Sequence, residues 1–418
     1  MHFISILTTL VIVASTVTIA AEAVLPLRQR RHRSNLKSMT ATEYGTIFDV
    51  EVLFGDEIFY IEVDTGSSDT WVVQTGFTCI NRTDNSVLLE AQCNYGSAYN
   101  INSSFHQIQN QTFGVKYGTG IATGVVGYEK VTLAGITIDN QIVGVGQSVT
   151  DVGDGLRSGI LGLAYPALTS AHPGRNYPND TISLITNRIV YNPLLNNMYD
   201  QGLSSEPWFS VALERLPANV STGAGGYFGV AELPPVEHSS EWTVAPVEIT
   251  KSIPDSFYPN GIPELTLWTL TVSSVSWSPA AGTGKCKSGV TTNSTAFQAS
   301  VDTGNPFLQL PVEITAAINA VYDPPAVLDE NSGHYIVDCD ARAPKVSLTI
   351  ANATFWLDER DMITQVSPGQ CISSVVPIAE SIGISLSFLG DAFLRNVVAV
   401  FDFGKDEMRF SARAHNSV

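Results

Sequence analysis

The stretch FYIEVDTGSSDTW, residues 59–71, sets one carboxylate, Asp64, at the end of a strand-like apolar run and the start of a turn. Residues 296–310, AFQASVDTGNPFLQL, repeat the arrangement around Asp302, 238 residues later. A lone Asp-Thr-Gly is a common turn, because Asp favours turns and the glycine two residues on relieves the backbone. Two of them at matching places are harder to explain as turns alone. Each is followed by an apolar run ending in glycine: LRSGILGLAYP (156–166, Gly162) and ISLSFLGDAFLRNVVAVFDF (384–403, Gly390). Repetition at this scale predicts two similar lobes, each supplying one Asp.

Two carboxylates held about 3 Å apart cannot both ionise cheaply, so they share a proton and titrate as a coupled pair. Such a pair can hold a water, deprotonate it with the charged member and polarise a scissile carbonyl with the protonated one. The chemistry requires no metal and no organic cofactor. Gly66 and Gly304 leave room for close backbone approach and can offer their N–H groups to the carboxylates. Thr65 and Thr303 supply inward hydroxyls that can lock the two loops together, rather than touching substrate first.

The 418 residues suffice for two domains with separate cores. A 44% hydrophobic and 15% charged composition argues against disorder. The formal charge of -18, with no basic tract after the first forty residues, excludes nucleic acid as an expected partner and suits work at low pH. Alternating and β-branched runs dominate (TIFDVEVLF, FYIEV, WFSVAL, KVSLTI, VVAVFDF), so the expected fold is mostly β. Helical periodicity is scarce, with one or two helices expected within 181–202 and another within 310–322. Proline-rich 229–246 marks the lobe boundary, giving lobes of 44–235 and 236–418.

Residues 1–23 read as a signal peptide, with a signal anchor as the alternative, and 24–43 as a short basic pro-segment cut near Arg30–Arg31. Seven Asn-x-Ser/Thr sequons, at Asn81, Asn102, Asn110, Asn179, Asn219, Asn293 and Asn352, fit a glycosylated exported protein. Secretion to the medium is expected, with cell wall and vacuole as alternatives. The simplest pairing of the five cysteines is local, Cys79–Cys93 and Cys339–Cys371, with Cys286 left over. No cysteine/histidine spacing resembles a metal site.

With DTGSSDTW at 64–71, YGTG at 117–120, VDTG at 301–304 and the two apolar-Gly runs, the chain closely resembles the pepsin-like aspartic proteases of secreted fungal or microbial type, from about residue 44 to 411. The resemblance implies a bilobal β fold with a cleft between the lobes, polypeptide substrates with apolar residues around the cut, pepstatin-like inhibitors and a monomer. It implies a hairpin flap carrying Tyr117, with Trp71 bonded to that tyrosine and Thr119 offered to a bound peptide. Gly66, Thr303 and Gly304 fall on its substrate-binding loops, and Ser67 supports the first Asp. Cys79–Cys93 and Cys339–Cys371 match its disulfides. The chain departs from the family at Asn305, where Ser or Thr is usual and where a side-chain NH2 would have to replace the hydroxyl. It also departs at FGDEIF (54–59), at Ile121, and in its short pro-segment. A glycosidase would also use two carboxylates but would not explain the repeat. A pepsin-like binding protein that has lost turnover is the runner-up.

Overall fold

The computed structural model describes residues 34–176, 181–280, 289–378 and 384–414. The signal peptide, pro-segment residues 24–33, the Asn179 sequon and Cys286 therefore lie outside the described residues.

Strands Ile47–Phe54 and Glu57–Asp64 form an antiparallel hairpin closed by Gly55 and Asp56. Gly55 takes the positive φ, 59°, that a two-residue hairpin needs. This is the physical reading of the departing FGDEIF stretch. The second strand runs parallel to Gly159–Gly162, in the register Glu62↔Ile160, Val63↔Leu161, Asp64↔Gly162. The other half repeats this arrangement: Phe297–Val301 runs parallel to Ser387–Leu389, with Val301↔Leu389. The Asp302 amide bonds the Leu389 carbonyl at 3.1 Å, so Gly390 stands to Asp302 as Gly162 stands to Asp64. The repeat read in the sequence is thus a repeat of sheet register.

The halves join through six consecutive strands of the largest sheet. Their order is Leu36–Thr42, Gly223–Val230, Trp208–Leu213, Val397–Asp402, Glu407–Ala412, Thr243–Pro246, three strands from each half. The seam is the antiparallel pair Trp208–Leu213 and Val397–Asp402. Across it Phe209 stacks on Phe401 with centroids 4.8 Å apart and meets Trp268 edge-on at 5.8 Å. Aromatic pairs of this geometry add about 0.5–1.5 kcal/mol each beyond the area they bury. Trp268 also donates its indole N–H to the Leu163 carbonyl (2.9 Å), tying this platform to the turn just after Gly162. The fold is predominantly β and bilobal, as expected. Helices Thr181–Thr186, Leu194–Asp200 and Val312–Asn319 fall in the two windows read as helical.

Both local disulfides form, Cys79–Cys93 and Cys339–Cys371. They close loops over 14 and 32 residues of separation, one in each half. The expected end of the pro-segment, residue 43, falls directly after Leu36–Thr42, a strand paired on both edges.

Candidate active site

Each Asp-Thr-Gly loop begins where its strand leaves the sheet, and the two loops interlock. The Thr65 amide donates to Thr303 Oγ1 at 3.0 Å, and the Thr303 amide donates to Thr65 Oγ1 at 3.0 Å. Thr65 Oγ1 in turn donates to the Val301 carbonyl (2.9 Å), and Thr303 Oγ1 to the Val63 carbonyl (2.6 Å). Both threonines are fully buried. Four hydrogen bonds related by the internal repeat therefore join one loop to the other.

This lock brings the Asp64 and Asp302 carboxyls within hydrogen-bond reach of each other. They are 6% and 8% exposed, enough for a water-sized opening and too little for free hydration. Close approach explains the glycines. A Cβ on Gly66 would stand 2.6 Å from Asp302 Oδ2, and one on Gly304 2.5 Å from Asp64 Oδ1. Each glycine faces the other half's carboxylate, so no larger residue fits at either position.

The two carboxyls are not equivalent. Asp64 Oδ1 accepts the Gly66 amide (2.8 Å), and Oδ2 accepts a short hydrogen bond from Ser67 Oγ. Asp302 Oδ1 accepts the Gly304 amide (2.9 Å). Asn305 does not supply the counterpart of Ser67. Its Oδ1 is turned back to accept the Phe307 amide (3.0 Å), and among the described residues it makes no bond to Asp302. The expected donation from its NH2 to Asp302 is therefore corrected: the Asx turn fixes the side chain by its Oδ1 on the Phe307 amide, and the NH2 makes no bond to Asp302. Burial pushes both carboxyls above the usual range. At Asp64 the Ser67, Gly66 and Asp302 hydrogen bonds oppose that push. At Asp302 the charge of Asp64 adds to it, and the acidity falls well below normal. The difference in donors makes Asp64 the easier of the two carboxyls to ionise.

The flap is the hairpin of His106–Lys116 and Ile121–Leu133, turned by residues 117–120 with the Tyr117 amide on the Gly120 carbonyl (2.8 Å). Trp71 Nε1 donates to Tyr117 OH at 2.8 Å, holding the ring beside the Asp64 loop. Burial, with the charges of Asp69 and Asp64, pushes the Tyr117 phenol far above its usual value, so it stays a neutral donor. Thr119 is exposed at the tip. A Cβ on Gly118 would meet open space, whereas one on Gly120 would stand 2.8 Å from the Thr150 side chain.

Behind Asp64 lies a buried ionic layer that sequence reading missed. Arg157 donates to Glu62, two residues before Asp64, and to the Val152 carbonyl. Asp154 accepts the Leu156 and Arg157 amides (2.9 and 2.6 Å) and the Thr42 hydroxyl (2.5 Å). Asp49 sits opposite Glu62 in the hairpin, fully buried. Burial first, then the charges of Asp154 and Glu62, push its carboxyl to about 8, so it is a neutral acid, and neither of its oxygens has a hydrogen-bond partner among the described residues. Asp69, two residues before Trp71, is likewise buried and accepts the Tyr191 hydroxyl and the Ser170 amide. The available signal was a polar residue inside an apolar strand, as at Asp49 and Glu62. Strict alternation assigns such residues to the solvent face.

The chain belongs to the eukaryotic aspartyl protease family, whose model matches residues 50–413. Among its relatives, a probable aspartic-type endopeptidase of Aspergillus fumigatus is 35% identical over 396 residues, 91% of this chain and 82% of the relative. Pepsin A of Bos taurus is 28% identical over 402 residues, 91% of each chain. The crystal structure of an aspartic proteinase from Irpex lacteus shares the fold with a TM-score of 0.64 at 19% identity, over 92% of this chain and 98% of that one.

Proposed function

We propose that the chain is a secreted aspartic endopeptidase, cleaving peptide bonds in proteins at acidic pH and preferring apolar residues around the cut. The observation that carries this reading is the paired carboxyls of Asp64 and Asp302, locked by the two threonines and differing in their donors.

Asp64, the better supplied with donors, acts as general base toward a water held between the carboxyls. Asp302, protonated at the start, gives its proton to the scissile carbonyl oxygen. Attack gives a tetrahedral diol. Asp64 then passes the proton it took to the amide nitrogen, a diol hydroxyl returns its proton to Asp302 as the C–N bond breaks and the carboxyl product forms, and Asp302 is protonated again for the next cycle. Extended backbone of the peptide pairs with the flap around Thr119, while Gly66 and Gly304 line the floor above the buried Thr303. Tyr117, held by Trp71, closes over the bond and keeps bulk water out. A peptide mimic of the diol, such as pepstatin, is expected to occupy the same place. The enzyme works as a monomer and needs no metal or cofactor. Export is supported by the sequons, of which Asn102, Asn110, Asn219 and Asn352 are exposed.

A second reading, a pepsin-like module that binds peptides without turnover, draws on one observation: Asn305 leaves Asp302 with less support than Asp64. Hydrolysis of acid-denatured haemoglobin from pH 2 to 7 separates the two. The endopeptidase shows an acid optimum abolished by pepstatin and by Asp64→Asn. Pepstatin binding without any cleavage by folded, processed protein would favour the binding module.

A further inference from the structure

We infer that Arg157 is a positioning residue of the active site: through the Glu62 side chain it holds a buried cation behind Asp64, and so extends catalysis to lower pH. The inference rests on the general-base role proposed above for Asp64. Glu62 and Asp64 lie two residues apart on the strand Glu57–Asp64, so their side chains share one face. Glu62 stands opposite Ile160 of the parallel strand, and the Ser158 amide donates to the Tyr60 carbonyl (2.7 Å). That pairing carries Arg157 alongside Glu62, to which its guanidinium donates. The two side chains are only 9% and 8% exposed.

Stability alone does not account for this pair, because a buried ion pair adds little over apolar packing of the same volume. The cation is also incompletely matched. A second nitrogen donates to the Val152 carbonyl, and among the described residues Nε has no hydrogen-bond partner. The backbone that carries Arg157 is tightly held. Asp154 accepts the Leu156 and Arg157 amides (2.9 and 2.6 Å), and the Gly96 amide donates to the Arg157 carbonyl (2.8 Å). The charge therefore keeps a fixed place behind Asp64.

The groups around it decide what that charge does in acid. Asp49, on the neighbouring strand, is held neutral by burial, and Tyr95, from the segment next to Arg157, stays a neutral phenol for the same reason. Asp154 faces the guanidinium from its own loop. From the other half, burial raises Asp302 and Asp391, and from the flap Tyr117 remains protonated. Burial also raises Glu62, against the Arg157 charge and with the Asp64 charge, so Glu62 takes up a proton while Asp64 is still ionised. Asp64 is then the next carboxylate along the strand. Burial raises it; the hydrogen bonds of Ser67, Gly66 and Asp302, and then the Arg157 charge, oppose that rise. Arg157 thus works against protonation of the base just where acid would otherwise silence it.

The test is kcat/KM of the exported protein against pH. Arg157→Met is expected to lower activity on the acid limb about three- to tenfold relative to the optimum, moving that limb to higher pH. Arg157→Lys restores the limb, and Glu62→Gln, which keeps the cation, does not move it upward. A pair that only holds the loop would make Arg157→Met and Glu62→Gln lose activity alike at every pH, and that result overturns the inference. An acid limb unmoved in Arg157→Met does the same. Should Arg157→Met not fold, Glu62→Leu with Arg157→Met puts apolar side chains in place of the pair and is expected to show the same shift, its absence again being decisive. Titration of the Asp64 carboxyl by carbon NMR, assigned by its loss in Asp64→Asn, needs no turnover. A folded wild type that cleaves nothing refutes the endopeptidase reading, whereas this titration, expected to move upward in Arg157→Met, still decides whether Arg157 acts on Asp64.

Discussion

Changing Thr303 to Val tests whether the two loops are locked by hydroxyls rather than by shape alone. Valine keeps the volume and the methyl group, so the buried site need not collapse, but Oγ1 is lost. Two bonds go with it: the acceptor for the Thr65 amide at 3.0 Å and the donor to the Val63 carbonyl at 2.6 Å. Both ends are buried, with Thr65 fully so, and water does not replace the missing partner. An orphaned buried donor costs about 1–3 kcal/mol, and an under-satisfied carbonyl adds about 1 kcal/mol. The expected loss is therefore about 2–4 kcal/mol in chemical denaturation at the pH of optimal activity. Because the same bonds set the spacing of Asp64 and Asp302, kcat should fall at least about tenfold, as small misplacements of reacting groups do. Thr303→Ser restores Oγ1 and should return to within about 1 kcal/mol of the wild type. A valine variant as stable and active as the wild type would refute the lock. A serine variant as damaged as the valine one would show that the methyl, not the hydroxyl, carries the effect.

Gly304→Ala places a methyl 2.5 Å from Asp64 Oδ1, and should lower kcat about a hundredfold or more while the folded far-ultraviolet spectrum is retained. Trp71→Phe removes the 2.8 Å bond to Tyr117 and should cost about 1 kcal/mol, a fivefold loss in kcat/KM for a peptide substrate. Asp49 has its acidity moved from an ordinary 3.8 to about 8 in the folded protein. Between those values the unfolded chain has released this proton and the folded one has not, so stability falls as pH rises, by up to about 1.4 kcal/mol per pH unit. Asp49→Asn should flatten that slope in denaturation measured from pH 4 to 8; an unchanged slope would place the loss elsewhere.

The parts of the molecule legible in the sequence are those in which local chemistry and long-range structure ask for the same residues. Asp64, Gly66 and Ser67 sit within four residues, and their hydrogen bonds follow from turn geometry, so the motif carries its own structure. The repeat around Asp302 then made the two lobes readable without any contact being known. Thr65 and Thr303 were legible for the same reason, as equivalent positions in equivalent loops. Asn305 was not, because the amide could donate toward Asp302 or accept from Phe307, and only the backbone path decides. Asp49, Glu62 and Arg157 come from three separate segments. Alternation within FDVEV and FYIEV assigns the acids to a solvent face, yet that face is covered by the 151–158 loop bringing Arg157 and Asp154. Burial of both sheet faces is a tertiary fact with no local signature.

The central claim is that one proton is shared between Asp64 and Asp302. Its most direct test is kcat/KM against pH for a quenched-fluorescence peptide with apolar residues flanking the cut, each sample being checked for full recovery on return to the optimum. The account predicts a bell. The acid limb follows ionisation of Asp64, and the alkaline limb follows loss of the Asp302 proton, displaced upward by burial and by the Asp64 charge. Both limbs should have unit slope, and Asp302→Asn should leave no bell to measure. A single rising limb with a plateau through neutral pH would contradict the shared proton, and with it the division of labour assigned to the two aspartates.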